Sequence, residues 1–230
     1  MSTPTDISLQ RRSTAEVVSD TLMRLIVEGE LKAGAPLRES SLATRLGISR
    51  NSLREGIRLL EQSRLVKYEV HRGAVVSTPT LKDLDDLYRT RLMLETMAVQ
   101  EIPSPEALEE VERTFEQLKE SVESKEVEPI VNADLAFHHA IVGLLESERL
   151  SAFYEQISKE MIFYFTVLSY ADEEYANPDE PILARHTEIV EAIRRGRRAE
   201  ASELVTAHIM ANFARLKEIL QERLEESETT

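Results

Sequence analysis

Between Leu42 and Leu60 the chain reads LATRLGISRNSLREGIRLL. Apolar residues recur at helical spacing on both sides of Gly47, which stands where a helix ends in a left-handed residue. Ser49 can then cap a further helix, with Leu53, Ile57 and Leu60 on its buried side. Two short helices joined by so tight a turn are a helix–turn–helix. Along the second of them Arg50, Arg54 and Arg58 recur every four residues. This spacing is notable because the whole chain carries a net charge of −14.

The charge is unevenly spread. Residues 1–79 hold 12 Lys and Arg against 9 Asp and Glu, and residues 80–230 hold 16 against 33. Such asymmetry suggests two units with different partners. An acidic body does not attract DNA, but a locally basic face on the first unit can. The plain alternative is that the charges solvate helix surfaces, with the arginines paired to Glu55 and Glu61.

The flanking sequence completes the first unit, residues 1–79. STAEVVSDTLMRLIVEGE gives a helix with an apolar stripe at Val18, Leu22, Leu25 and Ile26, broken by Gly34 and Pro36 in LKAGAPL. After the helix–turn–helix the period changes. Val66, Tyr68 and Val70, then Val75 and Val76, suit two strands turning near Arg72-Gly73, a β-hairpin wing. The second unit, residues 80–230, reads as wholly helical, with helices near 81–101, 105–123, 127–145, 148–170, 182–195 and 198–227. Thr80 and Ser104 are N-caps, Pro105 suits a first helical position, and ADEEYANPDEP is a loop. The fold expected is therefore mainly α: an N-terminal winged helix–turn–helix followed by a C-terminal all-α helical bundle. No cysteine is present, which excludes disulfides and thiolate chemistry. No apolar run reaches the ~20 residues of a membrane span. The opening MSTPTDISLQRR lacks a signal-peptide core, so a cytoplasmic protein with no membrane partner is expected.

A helix–turn–helix presents the N-terminal residues of its second helix to base edges in the major groove. Here those are Arg50, Asn51 and Ser52, with Arg54 one turn on. Arginine grips guanine edges or phosphate, asparagine and serine read edges or bond phosphate, and the helix N-terminus favours an anion. GELKAGAPLRESSLATRLGISRNSLREGIRLLEQSRLV resembles the winged helix–turn–helix of the GntR transcription regulators, over roughly residues 14–78. The resemblance implies that Arg50, Asn51, Ser52 and Arg54 contact operator DNA, and that Gly73 is the wing-tip glycine approaching the minor groove. It implies a homodimer on a pseudo-palindromic operator, as two-fold half-site reading also favours. Ser52 stands where the family usually has proline. Gly56 stands where it usually has alanine, at a helix-propensity cost of about 1 kcal/mol.

The second unit holds four of the five histidines, and three of them are well placed. Asp134 and His138 are four apart on one helix face. His186 lies 10 residues before Gly196 and His208 lies 12 after it. In an antiparallel helical hairpin they would sit ~15 and ~18 Å from the turn, at similar height. Three imidazoles and a carboxylate could then converge on a divalent cation, Zn²⁺ first, with Ni²⁺, Co²⁺ or Mn²⁺ suiting the same donors. Taken alone, Asp134 and His138 read equally as a surface pair or a satisfied core polar pair. His139 points away from their face by ~100°.

This unit also resembles the FCD ligand-binding domain of the FadR-like GntR subfamily, over roughly residues 82–222. Its Asp-x3-His, His, His pattern falls on Asp134, His138, His186 and His208, and its R-x3-E on Arg91 and Glu95. The resemblance implies a metal in a helical cavity, and a small carboxylic-acid effector taking the open positions. Arg91 then has two readings, an anion clamp for the effector or an intrahelical partner of Glu95. The function expected is a DNA-binding regulator, a repressor released by its effector. Two other classes compete with it. A metal-dependent enzyme would activate water at the same donors, but it lacks an obligatory base and leaves the wing unexplained. A helical interaction module would bind no effector.

Overall fold

The computed structural model describes residues 13–77, 80–173 and 181–228. Most of ADEEYANPDEP and the opening dodecapeptide lie outside the described residues. Backbone contacts divide the chain into two compact units, Met1–Thr78 and Pro79–Thr230.

In the first unit, α1 (Thr14–Val27) opens on a capping box between Ser13 and Glu16 and buries Val18, Leu22, Met23 and Leu25, while Ile26 is half-buried. The next helix, α2 (Glu39–Leu46), ends at Gly47 with φ +67°, a conformation that costs little only without a Cβ. Two residues later Ser49 caps α3 (Arg50–Gln62) by accepting the Ser52 N–H. Leu53, Ile57 and Leu60 are fully buried beneath α3. Gly56 explains how closely α1 and α3 approach. A Cβ built there would stand 2.6 Å from Val18 Cγ1 and 3.1 Å from the Ala15 carbonyl oxygen. The propensity cost anticipated for Gly56 is thus offset by a contact that alanine would obstruct.

The wing pairs β1 (Val66–Glu69) antiparallel with β2 (Gly73–Val76), with Val66 opposite Val76 and Glu69 opposite Gly73. Val70 is not the strand residue its alternation suggests. The ladder stops at Glu69, His71 and Gly73 take positive φ in the turn, and Val70 is 82% exposed.

The second unit contains α4 (Leu81–Ala98), α5 (Pro105–Glu123), α6 (Val127–Gly143), α7 (Glu148–Asp172), α8 (Pro181–Arg194) and α9 (Arg198–Glu228). Thr80 and Asp83 form the capping box of α4, and Ser104 caps α5 ahead of Pro105. The bundle packs α5 on α6, α6 on α7, and α9 on both α4 and α8. Gly196, with φ +65°, turns α8 back along α9. Phe137, Ile141, Met161, Ile189, Val205 and Ile209 fill the space between these helices. Among the described residues no helix is long and apolar enough to cross a membrane.

Candidate metal centre and DNA-reading helix

Among the described residues, the buried charged and imidazole side chains of the bundle fall in one region. Arg91 and Glu95 on α4, His138 on α6, His186 on α8 and His208 on α9 are all buried. His138 Nε2 lies 3.2 Å from His208 Nε2 and 3.3 Å from Asp134 Oδ1. His186 Nε2 lies 2.8 Å from the same Asp134 oxygen. One nitrogen from each of the three histidines lies within 4.8 Å of the other two. Donors held at about 2.0–2.1 Å from a tetrahedral cation stand about 3.3 Å apart. The three contacts His186–Asp134, Asp134–His138 and His138–His208 therefore lie near ligand-to-ligand spacing, and nitrogen with carboxylate oxygen is a donor set that a divalent transition metal accepts.

The neighbours of His138 set its tautomer. Its Nδ1 lies 2.7 Å from Glu95 Oε2, so Nδ1 carries a proton for that carboxylate, and Nε2 is turned toward Asp134 and His208. Glu95 is held in turn on its other oxygen, which accepts from Arg91 Nε at 2.6 Å and from the Tyr154 hydroxyl at 2.5 Å. Burial works against the Glu95 carboxylate, but Arg91 and His138 outweigh it and push its pKa down to about 2. Asp134 follows the same logic: burial opposes its charge, and His186 and His138 hold it well below the usual carboxylate range. For His138 burial and Arg91 oppose protonation, while Glu95 and Asp134 raise its pKa overall. Burial, reinforced by His186 and His138, drives His208 well below the ordinary histidine value, so it is neutral at pH 7.

Arg91 does not exhaust itself on Glu95. Its guanidinium carbon lies 5.0 Å from the Phe165 ring centroid and 5.6 Å from that of Tyr88, and Nη1 and Nη2 are buried without a hydrogen-bond partner. The two readings of Arg91 thus concern different atoms. Nε makes the intrahelical pair, and the two terminal nitrogens take no part in it. Beside the donors a cavity of about 20 Å³, room for roughly one water, is bordered by Asp134, Arg185, His186, His208, Ser169 and Asn212. His139 stands apart, with Nε2 against the Ser151 hydroxyl at 2.8 Å.

The residues of the recognition helix divide differently. Arg50 and Asn51 are exposed at the N-terminus of α3, and among the described residues Arg50 makes no ion pair. The Ser52 hydroxyl is half-buried and lies 2.9 Å from the Ser49 hydroxyl, so it reinforces the cap. Arg54 is exposed, but its Nε donates to Glu39 of α2 at 2.7 Å, and Arg58 pairs with Glu55 at 2.9 Å. Gly73 takes φ +73° and is exposed at the start of β2. His71 is exposed beside it.

This architecture matches known proteins in both units. Residues 14–76 match "Bacterial regulatory proteins, gntR family", and residues 86–211 match the FCD domain. The chain belongs to the GntR family. It is similar to the HTH-type transcriptional regulator YdhC of Bacillus subtilis (strain 168), 30% identical over 206 residues that span 87% of this chain and 90% of that protein. It is also similar to the gluconate operon transcriptional repressor of Bacillus licheniformis, 27% identical, over 81% of this chain and 78% of that one. The crystal structure of a GntR transcriptional regulator from Rhodococcus sp. RHA1 superposes with a TM-score of 0.66 at 27% identity, covering 89% and 98% of the two chains. Like its GntR relatives, the chain is a DNA-binding transcriptional regulator and not an enzyme.

Sequence reasoning about this GntR regulator missed three contacts. Tyr154 gave no sign of reaching Glu95, because the two residues are 59 apart in the chain. Glu95 was assigned only to Arg91, although one of its oxygens serves His138. Glu39 was not recognised as the partner of Arg54, 15 residues away.

Proposed function

We propose that this GntR regulator is a repressor whose grip on operator DNA is set by a small carboxylate, bound at a divalent metal held by Asp134, His138, His186 and His208. The observation that supports it most is the run of 2.8–3.3 Å contacts from His186 through Asp134 and His138 to His208 among the buried helices. Zn²⁺ suits the set, and Ni²⁺, Co²⁺ or Mn²⁺ suit it too. The cation supplies an anchoring positive charge for the effector carboxylate. The residues of the chain do the rest. Glu95 fixes the His138 tautomer, Arg91 offers Nη1 and Nη2 to the anion, and the apolar helices exclude water.

At the DNA, Arg50 and Asn51 read base edges from the N-terminus of α3, Arg54 and the Ser52 region position the backbone, and Gly73 lets the wing tip come close. The repressor works as a homodimer, each copy taking one half-site. An effector that binds the DNA-incompetent arrangement better shifts the population by that difference in affinity, and 1–3 kcal/mol of coupling moves operator affinity by 5–150-fold.

The test is direct. The purified chain should carry close to one divalent ion per copy by elemental analysis, and His186→Ala, which removes a ligand, should lower that metal content. Titration of DNA from upstream of its own gene should show release by a short carboxylate only when metal is bound. Unchanged metal content in His186→Ala, or release independent of metal, would overturn the assignment.

A further inference from the structure

A second cleft of the helical unit lies away from the histidines. It holds about 150 Å³, against about 20 Å³ beside the metal donors. It forms where two breaks in the chain meet, the link from α4 to α5 and the turn at Gly196. His186 stands 10 residues back from that turn along α8, ~15 Å at 1.5 Å per residue, so the two sites are separate. The floor of the cleft is carbon: Val99, Leu144 at the end of α6, and Ile193 of α8 are all buried. Pro103 lines it further, and Ile102 stands at its rim 78% exposed. An apolar hollow of about 150 Å³ takes a benzene-sized molecule.

The rim carries charge of both signs. Four arginines flank Gly196, and three of them are paired. Arg194 meets Glu112 and Glu191 at 2.7 and 2.8 Å, Arg195 meets Glu191 at 2.7 Å, and Arg197 meets Glu200 at 3.2 Å. The fourth, Arg198, lines the cleft. Its Nη1 donates to the Gln100 carbonyl at 3.3 Å, and among the described residues it makes no ion pair. Glu101 lines the cleft as well, is exposed, and makes none either. On a surface where opposite charges pair readily, these two share one opening without pairing. An apolar lining with a few placed polar groups is the make-up of a small-molecule site. A plain carboxylate would use Arg198 and face Glu101, and a plain amine would do the reverse. A zwitterion uses both.

We infer that this cleft binds a free α-amino acid with an apolar side chain: its carboxylate on Arg198, its ammonium on Glu101, its side chain over Val99, Leu144 and Ile193. The site is independent of the metal and of whatever the metal holds.

Calorimetric titration of the full-length chain with leucine, valine, phenylalanine, glycine, 4-methylpentanoate and 3-methylbutylamine tests this. At least one of the three apolar amino acids should bind about tenfold more tightly than glycine, which lacks the side chain. It should also bind about fivefold more tightly than the acid or the amine, each of which lacks one charge. Glu101 and Arg198 are exposed, so their substitution leaves the fold intact. Arg198→Gln should weaken the amino acid about fivefold and leave 3-methylbutylamine unchanged. Glu101→Gln should weaken it similarly and leave 4-methylpentanoate unchanged or tighter. Glycine binding as tightly as the apolar amino acids would overturn the inference, and so would 4-methylpentanoate binding as tightly, which would make the occupant a plain apolar acid. Amino-acid binding indifferent to both substitutions would place it at the metal and overturn the site, as would the failure of all three apolar amino acids to bind.

Discussion

The two units of the chain make their binding groups available in opposite ways. In the winged unit the groups proposed to meet DNA are outside the core. Arg50 and Asn51 stand in water at the start of α3, and the fold beneath them depends on Leu53, Ile57 and Leu60. In the helical unit the groups proposed to hold metal and effector lie in the core. Arg91, Glu95, His138 and Tyr154 are at most marginally exposed and hold one another in place. A surface site can therefore change sequence with little structural consequence. A buried site ties ligand chemistry to stability, because every charge in it needs its partner.

The largest effect expected follows from that contrast. Replacing Arg91 with alanine leaves Glu95 buried with its main counter-charge gone, and breaking a buried pair from one side costs about 3–5 kcal/mol. Arg50→Ala should change stability by no more than about 0.5 kcal/mol, as exposed substitutions do, yet weaken operator binding and relax its base preference. Urea unfolding of the two variants, followed by DNA titration at several salt concentrations, checks both halves. Comparable destabilisation by the two substitutions would erase the distinction.

The next effect concerns α1 and α3. An alanine at position 56 gains about 1 kcal/mol of helix propensity but places a methyl group 2.6 Å from Val18 Cγ1, an overlap whose relief costs about 1–3 kcal/mol. Gly56→Ala should therefore destabilise the winged unit by about 1 kcal/mol. Adding Val18→Ala should reduce the penalty, because the two positions share one contact. A thermal melt showing Gly56→Ala more stable than the parent would mean that the helices separate freely, and that propensity alone governs the site.

This case also shows where sequence reading stops. Local signals were legible: Gly47 and Ser49 mark the turn, Thr80 and Ser104 mark helix starts, and Gly196 folds α8 back so that the rings of His186 and His208 come within 4.7 Å. Those signals depend on chain neighbours, and a hairpin extends their reach by a predictable distance. The contact of Gly56 with Val18 and the Tyr154–Glu95 bond depend on which helices pack and how closely. Nothing in the spacing of α1 from α3, or of α4 from α7, encodes that approach. Val70 was misread for a related reason: alternation continues through a strand end, whereas the ladder stops where the partner turns.

The smallest effect tests whether the surface site is as independent as the comparison implies. Arg54 is the proposed cationic DNA contact with a structural tie, through Nε to Glu39. That tie raises the Arg54 pKa through its hydrogen bond and charge contact with Glu39, but the arginine is exposed, and an exposed pair contributes little to stability. If the tie only aims the guanidinium, leaving Nη1 and Nη2 for phosphate, Glu39→Gln should barely alter the melting temperature. It should raise DNA affinity modestly at low salt by removing a negative charge near the backbone, and the gain should fade as salt screens it. If the tie instead competes with DNA for Arg54, the same substitution should make the salt dependence of binding steeper by about one phosphate contact. A stability loss well beyond 1 kcal/mol would show that α2 relies on the pair, and that even the exposed helix of this regulator carries structural duty.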